Sequence, residues 1–295
     1  MTHGNQQRLG VVLTLLAATG FALKTVLAKL AYRHGVDPLT LLTLRLSVAG
    51  AAFSSVLFWQ AANGRWNLRL GARRWALVAV LGFVGYYGSA YLDFSGLVHV
   101  DATLGRMILF LYPTLVVLIE LVLTRRWPSS SLLAAQAVCY SGLLLMLWPH
   151  LSSPGAGYLK GCLYIFASAS LYAAYLTAVD RFFRAANMVM FISLIMTVAS
   201  LAAFVHFFLA RDFWALQVPF AVYLLAGLMA VFSTVLPCYA LSVGIALLGA
   251  SKAASLSMIG PAVTLLFGFL LLDESLTALQ AVGLALIVVG VSRVK

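Results

Sequence analysis

The segment LYPTLVVLIELVL at residues 111–123 and the segment IGPAVTLLFGFLL at residues 259–271 decide the fold. Each is a continuous apolar run with a proline at its third position, and the two prolines, Pro113 and Pro261, lie 148 positions apart. The same offset aligns Tyr91 with Tyr239, Gly96 with Gly244, Ala102 with Ala250, and Gly142 with Gly290. A common offset in a common order points to two copies of one unit, divided near residue 150: 1–150 and 151–295.

Outward from these runs the chain is apolar almost throughout. Of 295 residues, 63% are hydrophobic and 9% are charged. Soluble domains carry about 25% charged residues. About 20 consecutive apolar residues cross the hydrocarbon core as a helix. Such spans are expected at 9–32, 38–62, 75–97, 100–124, 129–149, 156–179, 187–210, 218–243, 249–271 and 275–293. The expectation is an all-α membrane protein of ten transmembrane helices in two five-helix repeats. A β-barrel would alternate polar and apolar residues along short strands, and these runs do not. Lys24 and Lys29 inside the first span, and its length, mark it as a retained helix and not a cleaved signal.

Five spans per unit is an odd number, so the second unit must enter the bilayer from the opposite side. The loop charges agree. With a cytoplasmic N-terminus, the inside segments hold Arg8, Arg65, Arg69, Arg73, Arg74, Arg125, Arg126, Arg181, Arg184, Arg293 and Lys295, against Lys29, Arg33, Lys160 and Arg211 outside. Basic residues concentrate on the cytoplasmic side, so both termini are expected there, in the cell (inner) membrane. The positions after span four are Arg125 and Arg126, and their counterparts after span nine are Asp273 and Glu274. This placement also accounts for the net charge of +11 without a nucleic-acid partner.

Four ionisable residues fall inside spans: Lys24, Arg45, Asp93 and Arg106. At a rise of 1.5 Å per residue they form one layer, roughly 9–12 Å below the outer surface. Charges inside a membrane face the bundle interior or an aqueous cavity. Asp93 and Arg106, on adjacent antiparallel spans at equal depth, are expected to pair. Arg45 has two readings, snorkelling outward or lining a site. Lys24, with Arg45 or Arg106, is the candidate receptor for a substrate carboxylate or phosphate, since a guanidinium offers such groups a two-pronged fork.

At an offset of about 151, Lys24 faces Tyr175 and Phe21 faces Tyr172. Asp93 and Arg106 fall opposite Leu241 and Ala254. The cavity would be basic on one side and aromatic on the other. Tyr91, Tyr172, Tyr175 and Tyr239 are therefore candidate substrate contacts, with ordinary helix packing as the alternative for each. Pro113, Pro237 and Pro261 are candidate kinks for gating. Glu120 is expected to meet Arg125 or Arg126, or else to carry protons.

DATLGRMILFLYPTLVVLIELVL at 101–123, its echo GASKAASLSMIGPAVTLLFGFLLLDE at 249–274, and GVDPLTLLTLR at 35–45 together resemble the drug/metabolite transporter superfamily, EamA type. The resemblance implies a ten-helix secondary transporter that exports small metabolites such as amino acids or organic anions by alternating access, without a cofactor. The glutamate in the first helix of small multidrug members has no clear counterpart here, where the ionisable residue midway along span one is Lys24. No G-x-x-x-x-G-K-[ST] loop is present to bind ATP. The carboxylates and histidines are scattered, which disfavours a membrane-embedded enzyme. Cys139, Cys162 and Cys238 form no metal-ligand cluster. A passive facilitator or channel is the other reading. The expected partners are a small-molecule substrate and the lipid bilayer, with the protein a monomer or a homodimer.

Overall fold

The computed structural model describes residues 3–63, 71–147, 157–183, 188–271 and 277–294. Arg65, Arg69, Arg184, Asp273, Glu274 and Lys295, used above for orientation, lie outside these residues, as do the ends of some expected spans. The helices are α1 (His3–Tyr32), α2 (Pro38–Ala62), α3 (Ala72–Gly96), α4 in two pieces (Ala102–Leu109 and Tyr112–Thr124), α5 (Ser130–Leu147), α6 (Tyr158–Phe183), α7 (Met188–Ala210), α8 (Phe220–Leu248), α9 in two pieces (Ala250–Leu256 and Gly260–Leu271) and α10 (Ala278–Ser292). Eight are long and apolar enough to cross a membrane, and α5 and α10 are shorter apolar helices.

Local chemistry fixes several helix starts. The Asp37 carboxylate accepts from the Leu39 and Thr40 amides at 3.1 and 3.2 Å, and Pro38 occupies the first turn, where no amide is needed. Asp101 caps α4 through the Leu104 amide at 2.7 Å. Thr277 and Gln280 cap α10 reciprocally. Gly249, at φ +87°, makes the turn between α8 and α9 that a side chain would strain.

The packing obeys a pseudo-two-fold that exchanges each helix of the first five with its counterpart in the second. α2 packs on α7 and α5 on α10, while α1 against α8 is matched by α6 against α3. These pairs run antiparallel. Gly50 meets Ser200 and Ser54 lies 3.4 Å from Thr197, and Gly10, Thr14 and Gly20 meet Leu248, Gly244 and Pro237 in turn. Equivalent helices thus point in opposite directions, and the repeats are inverted.

The helix breaks repeat as well. A helical proline leaves the carbonyl four residues earlier without its amide partner. Accordingly the first piece of α4 ends at Leu109, four before Pro113, and a 3₁₀ turn begins at Ser257, four before Pro261. In α8 a π turn, Val231–Val235, surrounds Ser233, four before Pro237. α3 carries a π turn over Leu81–Gly88, offset by 150 from that of α8, with no proline to cause it. Glycines Gly82, Gly85 and Gly88 lie within it.

The α5–α10 seam depends on the glycine pair matched in sequence. A methyl on Gly142 would come within 2.5 Å of the Gly283 carbonyl oxygen and 3.0 Å of Leu286 Cβ. Gly142→Val is expected to destabilise the fold by about 1–3 kcal/mol through overpacking, read as a lower melting temperature in detergent. Unchanged melting would mean that the seam has room for a side chain at Gly142.

Candidate functional site

Between the two repeats lies a cavity with an envelope of about 600 Å³. α1 contributes Phe21 and Lys24, α2 Arg45, α3 Tyr86, Ser89 and Asp93, α4 Arg106, Phe110 and Tyr112, α6 Ser168 and Tyr172, and α9 Ser257. All four charges expected inside the membrane line it. Three cations stand against one carboxylate, a surplus of two positive charges.

The pairing differs from expectation. Lys24 Nζ donates to Asp93 Oδ2 at 2.5 Å, with the two side chains 12% and 4% exposed. Arg106 instead donates through Nη2 to the Phe21 carbonyl and through Nε to Thr264 Oγ1 at 3.4 Å. It thereby ties α4 to α1 and α9. Equal depth on neighbouring helices does not fix the direction a side chain faces, and the strongest partner for Asp93 comes from α1.

Arg45 does not snorkel: it is 1% exposed. Its guanidinium lies 4.9 Å from the Phe94 ring centroid, with Lys24 Nζ 5.7 Å from the same ring. Its Nε and Nη2 have no hydrogen-bond partner among the described residues. Buried N–H groups are almost always satisfied, and a charged one left unsatisfied costs more than a neutral one. Ser89 and Ser168 close another wall, their hydroxyls 3.1 Å apart, with Ser168 Oγ donating to the Ser89 carbonyl at 2.7 Å.

A narrow, tightly packed chamber adjoins the first and shares Phe21, Tyr86 and Tyr172 with it. Its other walls include Tyr175, Val179, Ile192, Cys238, Leu241 and Ile245. Tyr175 is the counterpart of Lys24 and Leu241 that of Asp93, so this chamber is the apolar mirror of the charged one. Phe21 and Tyr172, counterparts of each other, stand at the junction.

The remaining tyrosines sit elsewhere. Tyr91 lies edge-on to His206, ring centroids 5.0 Å apart, and His206 also meets the Tyr87 hydroxyl. Tyr239 bonds Ser193 Oγ at 2.6 Å and packs on Phe53. Neither lines a chamber. Pro113, Pro237 and Pro261 are buried at the helix breaks. Sequence reading missed Tyr86, Ser89, Tyr112 and Ser257. Their one signal was position: Tyr86 and Ser89 precede Asp93 by about two turns and one turn of the same helix.

The two ends of the bundle are held by equivalent residues of opposite charge. Near the end of α1, Lys29 donates to the Leu97 and Val100 carbonyls at 2.7 and 2.6 Å, bridging α1 to the turn between α3 and α4. Tyr32 reinforces it through the Phe94 carbonyl at 3.0 Å. Offset by 151 from Lys29 is Asp180, near the end of α6, which accepts from the Ala250 amide at 3.3 Å in the turn between α8 and α9. Beside it, Glu120 accepts from the Ser251 hydroxyl. Its partner is thus that serine and neither Arg125 nor Arg126. Glu120→Ala is expected to cost about 1–3 kcal/mol, through a charge-assisted hydrogen bond lost, whereas Arg125→Ala and Arg126→Ala leave melting unchanged. Equal losses at all three would restore the ion-pair reading.

Comparison with known proteins bears on the whole chain. The pattern of the EamA-like transporter family matches residues 8–148 and again 159–294. The chain is similar to the uncharacterized transporter YcbK of Bacillus subtilis (strain 168), 28% identical over 279 residues, which span 93% of this chain and 88% of that one. A solved crystal structure superposes with a TM-score of 0.76 at 19% identity, covering 100% of this chain and 98% of the other, a likeness of fold.

Proposed function

Because the chain belongs to the EamA-like transporter family, and is a multi-pass membrane transporter and not an enzyme, we propose that it is a secondary active carrier working by alternating access. It exports small metabolites, amino acids or organic anions, across the cytoplasmic membrane. One observation carries this reading: the charged cavity lies between two inverted repeats, and three of the helices that wall it, α3, α4 and α9, are broken or carry a π turn. Transporters built from inverted repeats bind substrate at the repeat interface and rock one repeat against the other. The repeats are taken as 1–150 and 151–295, with both termini cytoplasmic. Lys24, Arg45, Arg106 and Asp93 supply the polar contacts. Tyr172 and Tyr175 supply aromatic ones, while Tyr91 and Tyr239 act from behind the walls. Pro113, Pro237 and Pro261 mark the bending points.

The test is counterflow in proteoliposomes against a panel of amino acids and organic acids, with and without a proton gradient. Saturable exchange accelerated by internal substrate is expected. Flux that neither saturates nor responds to internal substrate would make the protein a channel. Impermeant labelling of single cysteines placed at either terminus is expected to modify them from the cytoplasmic face only.

A further inference from the structure

The two chambers make different demands on a ligand, and together they narrow its chemistry. In the charged chamber the guanidinium of Arg45 is 1% exposed, and two of its nitrogens, Nε and Nη2, have no hydrogen-bond partner among the described residues. Arg106, by contrast, is engaged by the Phe21 carbonyl and Thr264. The one carboxylate lining this chamber, Asp93, is held by Lys24 at 2.5 Å. Arg45 thus offers an anion unclaimed donors, while the carboxylate that could hold a cation is already engaged. Past Phe21, Tyr86 and Tyr172, the adjoining chamber is lined by aromatic rings and by Val179, Ile192, Leu241 and Ile245.

Resting on the transporter reading above, we propose that the substrate is an organic monoanion: a carboxylate bearing an aryl or branched alkyl tail and lacking an α-ammonium group. The carboxylate takes the free N–H groups of Arg45, in the planar fork geometry that guanidinium and carboxylate share. The tail points past the Phe21–Tyr172 junction toward the narrow apolar chamber, whose side chains must part to admit it. An amino acid would bring a cationic group into a chamber that already holds a surplus of two positive charges, with Asp93 already engaged. It would have to break the Lys24–Asp93 pair to find a partner.

Three probes differ only in the groups at issue: 3-phenylpropanoate (carboxylate alone), phenylalanine (carboxylate and ammonium) and 2-phenylethylamine (ammonium alone). Binding of tritiated 3-phenylpropanoate to the detergent-purified protein is measured by scintillation proximity, with the other two as competitors. Saturable binding is expected, with phenylalanine competing at least tenfold more weakly and 2-phenylethylamine not at all. Arg45→Gln is expected to lower affinity at least tenfold, and Arg45→Lys to restore it in part. A second readout separates this from misfolding. Removing an unpaired buried charge relieves its desolvation, so ligand-free Arg45→Gln is expected to melt no lower than the parent protein, while the stabilisation given by 3-phenylpropanoate disappears.

Stronger competition by phenylalanine than by 3-phenylpropanoate itself would overturn the proposal and leave the carrier reading intact. So would 3-phenylpropanoate binding indifferent to Arg45→Gln, or its failure to bind a protein that shows counterflow of other solutes. Failure to bind together with absent counterflow across the whole panel would remove both.

Discussion

Asp93→Ala is expected to destabilise the protein far more than Lys24→Ala, although both break the same ion pair. The cavity holds Lys24, Arg45 and Arg106 against Asp93. Removing Asp93 leaves three buried cations and no anion. Removing Lys24 leaves two cations around a carboxylate they still compensate. Breaking a buried pair from the side that leaves charge uncompensated costs about 3–5 kcal/mol, and the Asp93 side chain is 4% exposed. Asp93→Ala should therefore melt well below the parent, and much of the loss should return in the Asp93→Ala, Lys24→Ala double variant. Lys24→Ala should remain folded in the membrane yet lose transport, because a cation that shares the Phe94 ring with Arg45 is gone. Fluorescence-detected size exclusion after a temperature ramp gives the first result, and proteoliposome counterflow the second. Equal destabilisation by the two single variants would mean that the other cations do not sense Asp93. Normal transport by Lys24→Ala would take Lys24 out of the site.

The second large effect concerns which face of the cavity is open. Lys29 ties α1 to the turn between α3 and α4 through the Leu97 and Val100 carbonyls, and Asp180 ties α6 to the turn between α8 and α9 through the Ala250 amide. A hydrogen bond to a charged group contributes about 1.5–3 kcal/mol. Losing those from Lys29 to the Leu97 and Val100 carbonyls should shift a two-state equilibrium at least about tenfold, since 1.4 kcal/mol is a factor of ten. Lys29→Met is expected to raise labelling of a cysteine placed at Ser168 by an impermeant thiol reagent applied from the face carrying Gly35. The background has Cys139, Cys162 and Cys238 replaced. Asp180→Asn, which weakens the bond to the Ala250 amide, is expected to raise labelling from the opposite face. An increase from the same face in both variants would dissolve the idea of two latches.

The fold was legible because lipid imposes its own arithmetic: apolar runs of about 20 residues can be little else, and the common offset disclosed the repeat. The proline breaks were legible too, since each follows from one missing amide. The partners of the buried charges were not. Position along a helix gives depth, while contact depends also on the angle around the axis, so Asp93 was assigned to Arg106 when it faces Lys24. The same blindness explains Tyr91 and Tyr239. Tyr91 lies two positions from Asp93, about 200° around the helix, and faces His206. Tyr239 follows Cys238 of the apolar chamber by one position and turns toward Phe53. The π turn in α3 has no proline to announce it. Glycines at 82, 85 and 88 read equally well as close-packing contacts.

That stretch sets the phase of everything after it. A π turn holds one residue more than the α-helix it interrupts, and one residue amounts to about 100° of rotation. Deleting a single residue between Leu81 and Gly88 would leave α3 regular and hydrophobic, and long enough to span. It would nevertheless swing Asp93 away from Lys24 and toward neighbouring helices or acyl chains. The length of this helix is thus set to the single residue by where one carboxylate must point, and its mirror stretch in α8 imposes the same discipline on Cys238 and Leu241.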